Sequence, residues 1–188
     1  MSPRDVHPHR SSTLAGLLVC VAVVALAACG AGSSAPAPAT VRPIPSPSTT
    51  LTPAAVSSQV LAAYRDMWFD LVTAAETSDY QSPLLSQHTT GAALTLLTQG
   101  LATDQLHGIV TRGATVHHPT VTSLSPAGTP TRATITDCFD DAKWLEYNGS
   151  GGLVKNTPGG RRSTTAQLVK TEGTWKVDQL TVAGTGTC

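Results

Sequence analysis

The chain has 188 residues, with 12 basic and 12 acidic side chains, 40% hydrophobic residues and only 4% aromatic ones. This length bounds the answer to one small domain plus extensions, and the balanced charge leaves no electrostatic case for a nucleic-acid partner. No Ser-His-Asp order, glycine-rich phosphate loop or nucleophile elbow occurs, so composition and motifs carry no catalytic signature.

The first element in chain order is an apolar run from Leu14 to Ala28, preceded by a polar segment with Arg4 and Arg10. Its length fits the hydrophobic region of a signal peptide better than a membrane-spanning helix, which needs about 20 apolar residues. The run closes on Leu26-Ala27-Ala28-Cys29, which resembles the lipobox of bacterial lipoprotein signal peptides. The resemblance implies that residues 1–28 are removed and that Cys29 carries the lipid. A lipidated Cys29 would hold the protein to the outer face of the cytoplasmic membrane. Ala27 and Ala28 suit a narrow peptidase groove, and each buried acyl methylene adds roughly 0.8 kcal/mol of membrane affinity. The alternatives are an ordinary secretory signal and an uncleaved anchor helix. No twin-arginine pair precedes the run, so general secretion is the simpler route. Cleavage would remove Arg4, Arg10 and Asp5, leaving 10 basic and 11 acidic residues and a net charge of −1.

Residues 29–52 follow as a tether, with prolines at 36, 38, 43, 45 and 47 and few bulky apolar side chains. Alternating proline favours extended polyproline II at about 3.1 Å per residue, so this stretch can reach on the order of 70 Å. Its Ser and Thr residues are compatible with glycosylation, without a pattern that distinguishes a modified tether from a bare one.

A single globular domain is expected over 53–188. Thr52-Pro53 reads as an N-cap with proline at the first helical position. Val60, Leu61, Tyr64, Met67, Trp68, Leu71, Val72 and Ala75 then recur at helical spacing, the pattern of a helix laid on a core. Asp66 and Asp70 lie off that stripe and read as a solvated acidic face rather than a paired-carboxylate site. Ser82-Pro83 caps a short second helix, and Thr89 or Thr90 starts a third that carries Ala93, Leu94, Leu97 and Leu101 before Gly108 ends it.

Beyond Gly108 the period changes. Segments near 109–124, 131–140, 143–148, 163–171 and 174–183 are rich in Thr and Val and are separated by Gly, Pro and Asn-Gly turns, including Asn148-Gly149-Ser150. Helices first and antiparallel strands afterwards make an α+β arrangement: three N-terminal helices packed on a curved antiparallel sheet of four to six strands. Trp175 and Val177 are expected to face Ala166 and Leu168 across a hairpin.

Once Cys20 is discarded with the signal segment and Cys29 is lipidated, Cys138 and Cys188 remain as an even pair in an oxidising compartment. A bridge between them would contribute roughly 4 kcal/mol on a chain-entropy argument. Two free thiols or a metal pair are the weaker readings, because there is no Cys-x-x-Cys and the histidines show no ligand spacing. No metal and no cofactor are expected.

The stretch from Ala63-Tyr64 to Thr77-Ser78-Asp79, with Ser82-Pro83, Gln87-His88, Thr90-Gly91, Val110-Thr111-Arg112-Gly113, Asp137-Cys138, Thr157-Pro158-Gly159-Gly160-Arg161-Arg162, Gly173-Thr174-Trp175-Lys176-Val177 and Cys188, resembles an actinobacterial lipoprotein family of unassigned function. The resemblance implies a nuclear transport factor 2-like, cystatin-like domain, a cone of three helices against a bent sheet. That fold serves ketosteroid isomerase-like enzymes, dimerising scaffolds and small-molecule binders, so it does not decide function.

An isomerase or dehydratase would need a base inside the cone. Asp137, alternating with Ala133, Ile135 and Phe139, is the candidate, with Tyr64 and Tyr80 as donors. The plainer reading has Asp137 ending a strand and accepting backbone amides beside the bridge. His117 and His118, adjacent on an expected strand, would point to opposite faces and could not share a metal. His88 reads as a cap or surface residue. Arg161 and Arg162 are candidate contacts to a phosphate or carboxylate, or else a solvated hairpin base. The reading is a lipid-anchored, non-catalytic binding or interaction domain whose partner is an envelope protein or a small ligand.

Overall fold

The computed structural model describes residues 51–154 and 158–188. The signal segment, Cys29 and the tether up to residue 50 lie outside the described residues, as do residues 155–157. Among the described residues no helix is long and apolar enough to cross a membrane.

Helix α1 (Pro53–Ala75) starts as its sequence dictates: Thr52 is extended, and its side chain accepts the Ala55 amide at 3.2 Å. Such a cap is worth about 1 kcal/mol. The buried face comprises Val56, Val60, Ala63, Tyr64, Met67, Trp68, Leu71, Ala74 and Ala75, together with Asp70. It is rotated from the stripe of large apolar residues toward Ala63 and Ala74. Leu61 and Val72 move to its margin, and Asp70 comes inside it. The expected solvated face is therefore corrected at Asp70, which is buried, while Asp66 stays exposed.

Helix α2 (Leu85–His88) begins two residues beyond Pro83, with Leu84 rather than Ser82 at its cap, although the Ser82 carbonyl accepts the Leu85 amide. Helix α3 (Gly91–Leu106) buries Ala93, Leu97 and Leu101 and is followed by Gly108 at φ 65°. Gly91 at φ 53° adopts the left-handed conformation that favours glycine, close to the Asp178 side chain.

Six strands follow: β1 (Ile109–Gly113), β2 (Thr120–Ser125), β3 (Arg132–Asp140), β4 (Trp144–Asn148), β5 (Arg161–Thr171) and β6 (Thr174–Val182). The larger sheet is antiparallel in the order β2-β3-β5-β6, and β1 pairs with β4 separately. A bridge between Val116 and Asp140 links the segment after β1 to the end of β3. The molecule is thus α+β, with helices preceding antiparallel sheets.

The inner face of the sheet carries Ala133, Ile135, Asp137 and Phe139 on β3, Ala166 and Leu168 on β5, and Trp175, Val177 and Leu180 on β6. Val177 and Leu180 share this face at a spacing of three because the register shifts opposite Gln167 and Leu168. Helices α1 and α3 pack against β6 and β1. Full burial of a side chain such as Leu168 contributes about 2 kcal/mol.

The outer face is polar, with Thr120, Thr136, Thr165 and Thr181 aligned across all four strands and every one exposed. Cys138 and Cys188 are disulfide-bonded with a Cα–Cα separation of 5.9 Å. The bridge draws the segment after β6 back to β3, and Thr187 Oγ1 accepts the amide of Ser163 on the adjacent β5 at 2.8 Å.

Candidate functional site

Two polar clusters contain the chemistry-bearing side chains, one closed and one open. The closed cluster forms because the expected strand over 109–124 is broken in two. Gly113, at φ 113°, passes so near the Lys143 carbonyl that any Cβ would collide with it, and residues 114–119 leave the sheet there. His117 and His118 are consequently on a connection and not on a strand, which corrects the expected alternation.

The ring of His117 turns inward, and its Nδ1 lies 2.8 Å from Asp137 Oδ2. Tyr64 on α1 donates its hydroxyl to the same oxygen at 2.9 Å, and the His118 amide donates to Asp137 Oδ1 at 2.5 Å. Asp137 is in the interior of β3 rather than at its end, but it does accept a backbone amide beside the bridge. Phe139 stacks on the His117 ring at 5.2 Å and on Trp68 at 4.4 Å, while Tyr64 meets His117 edge-on at 6.1 Å.

Burial alone would raise the Asp137 carboxyl. Hydrogen bonds from His117, Tyr64 and the His118 amide, with the charge of His117, outweigh it and hold Asp137 below the ordinary carboxylate value. The Tyr64 hydroxyl is pushed well above its ordinary value, first by burial and then by the Asp137 charge and hydrogen bond. The Trp68 indole partly offsets that rise by proximity, although its Nε1 reaches no hydrogen-bond geometry.

A carboxylate with three donors and a wholly buried side chain is a fastener between α1, β3 and the 114–119 connection. A general base must reach the proton it takes, and none of the three cavities described in this domain is lined by Asp137, Tyr64 or His117. Tyr80, the other expected donor, is surface-exposed.

The open cluster lies between α1, α2 and the β5–β6 hairpin. His88 closes α2, and its Nδ1 lies 2.7 Å from the buried carboxylate of Asp70. Its Nε2 lies 3.8 Å from Asp66 Oδ2, one helical turn away on α1. His88 is therefore neither a cap nor a simple surface residue. It borders a cleft of about 350 Å³ whose lining also includes Gln59, Ala62, Lys170, Gly173, Thr174 and Trp175. A carboxylate can only accept, so Nδ1 carries the proton, and in the neutral ring Nε2 keeps its lone pair toward the open side. The signal for this pair was the small side chains Ala63 and Ala74, which pull the buried arc of α1 over Asp70.

Arg161 and Arg162 begin β5. Arg162 Nε donates to Asp141 Oδ2 at 2.9 Å, and both residues line a cavity of about 270 Å³ with Trp144 and Glu146. Its charge is thus already paired, whereas Arg161 is exposed beside Cys138. Asn148 closes β4 and accepts the Ser150 and Gly152 amides, as a turn requires. Among the described residues no group of three or more His, Cys, Asp or Glu could hold a metal ion.

No family model matches the chain, and no curated protein matches it. Among solved structures the chain is similar to the intermembrane-space region of chloroplast protein ARC6, at 13% identity and a TM-score of 0.47, covering 69% of this chain and 97% of that one. It is also similar to a cystatin-like fold protein of unknown function from Nostoc punctiforme, at 11% identity and a TM-score of 0.42, covering 73% of this chain and 96% of that one. A third similar structure is an NTF2-like protein with a cystatin-like fold from Novosphingobium aromaticivorans, at 15% identity and a TM-score of 0.40, covering 75% and 94%. The Nostoc and Novosphingobium neighbours are cystatin-like in fold, the latter also NTF2-like, and at such values they decide nothing about activity.

Proposed function

We propose that this protein is a membrane-anchored extracytoplasmic lipoprotein whose folded domain is a non-catalytic binding or interaction module of the cell envelope. The observation that supports the non-catalytic part is the enclosure of Asp137, the carboxylate that the sequence offers as a base, by three donors and four aromatic rings. The bond between Cys138 and Cys188 supports an oxidising compartment. The lipobox resemblance at Leu26–Cys29 and the proline-rich tether support an anchored domain standing off the membrane, within an actinobacterial lipoprotein family.

The rival reading, an isomerase- or dehydratase-type enzyme with Asp137 as base, draws on Tyr64 and His117 beside that carboxylate. It needs a substrate-sized opening that reaches Asp137.

Anchoring is tested by palmitate labelling and membrane fractionation. The expected result is labelled chain in the membrane fraction and loss of both label and membrane association in Cys29→Ala. An unlabelled wild-type chain would sink the anchor.

A further inference from the structure

The cleft beside His88 faces opposite charges toward one space without letting them neutralise each other. Asp66 and His88 stand on its helical side, and Lys170 with the Gly173–Thr174 turn stands on the hairpin side. Among the described residues, the contact recorded for Lys170 Nζ is the Trp175 ring at 5.9 Å, and Asp66 meets only His88 Nε2 at 3.8 Å, too long for a hydrogen bond. Trp175 belongs to the same lining, is 3% exposed, and its Nε1 has no hydrogen-bond partner. The cavity, about 350 Å³, is within the range of small-molecule sites.

Asp70 fixes the His88 ring through Nδ1, and in the neutral ring Nε2 and Asp66 Oδ2 are two acceptors 3.8 Å apart. A single ammonium nitrogen at about 2.8 Å from each would bridge them with two of its three hydrogens. Lys170, across the cleft, is the complement for an anionic group. We propose that this cleft binds a ligand carrying both a free ammonium and a free carboxylate, an amino acid or short peptide, with the amine between Asp66 and His88 and the carboxylate on Lys170. This rests on the binding-domain reading and names its ligand class.

The test uses the full-length chain in detergent micelles, titrated calorimetrically with alanyl-alanine, N-acetyl-alanyl-alanine and alanyl-alanine amide. Saturable binding of the free dipeptide is expected, weakened at least about tenfold by blocking either end. Asp66→Asn should abolish the discrimination against the acetylated amine alone, and Lys170→Gln the discrimination against the amide alone. Both side chains are partly or largely exposed, so these variants avoid the disruption that replacing His88 would bring to the buried Asp70. Equal binding of blocked and free dipeptides, unchanged discrimination in the two variants, or no binding at all would overturn the inference. If dipeptides fail while the anchored chain still captures another ligand or protein by crosslinking in cells, this inference falls and the binding-domain reading stands.

Discussion

Two histidines in this domain each hold a buried carboxylate through Nδ1, and they differ in what the other ring nitrogen meets. His117 Nε2 lies 2.8 Å from Thr115 Oγ1, and its ring is covered by Phe139 and Trp68. His88 Nε2 faces a cleft and an exposed carboxylate, with a quarter of its side chain in solvent. The same pairing therefore closes a structure in one place and presents a nitrogen in the other. What separates them is the stacking partners and the reach of neighbouring side chains.

The largest expected effect sharpens the closed half of this comparison, because the bridge at Cys138 pins β3 on the face opposite Asp137. Replacing Cys138 and Cys188 together by serine should lower the unfolding free energy by about 4 kcal/mol, read from urea unfolding. Tyr64→Phe removes one donor from a buried carboxylate and should cost about 2 kcal/mol.

Acid should act on the same cluster. Asp137 is held below its ordinary value of 3.8, so the stability it contributes is complete above that value. It is lost as pH falls below 3.8 through the lowered folded value. In Tyr64→Phe the folded value rises toward 3.8, so this loss should be smaller and should be complete at higher pH, measured by urea unfolding at stepped pH.

The cleft should respond weakly. Asp66→Asn, at an exposed site with no hydrogen bond to His88, should shift unfolding by less than about 0.5 kcal/mol. The smallest effect is expected for Thr164→Val, within about 0.5 kcal/mol of zero. Thr164 Oγ1 is buried opposite Asp137 without a partner, so an isosteric methyl loses no hydrogen bond. A cleft variant that unfolds the domain, or a Tyr64 variant that does not weaken it, would break the distinction between the two halves.

The helices were legible because their signals are local: the Thr52-Pro53 cap, the spacing from Val60 to Ala75, and Gly108 after α3. The β5–β6 hairpin was legible for the same reason, through alternation around Trp175 and Val177. The site was less so. Asp137 was identified from its alternation in β3, but its partners come from Tyr64 and His117, 73 and 20 residues away. The chain leaves β1 at Gly113, where a Cβ would collide with the Lys143 carbonyl, and His117 turns inward on the connection that follows. Asp70 was misplaced because a stripe drawn from large side chains undercounts alanine, which buries as completely as leucine in a helix packed this closely.

The central claim is that Asp137 fastens the fold and does no chemistry on a ligand, and urea unfolding of Asp137→Asn tests it most directly. The account predicts a loss of about 3 kcal/mol, with dipeptide binding by the remaining folded protein unchanged. An unaltered unfolding midpoint together with lost ligand binding or lost turnover would contradict it.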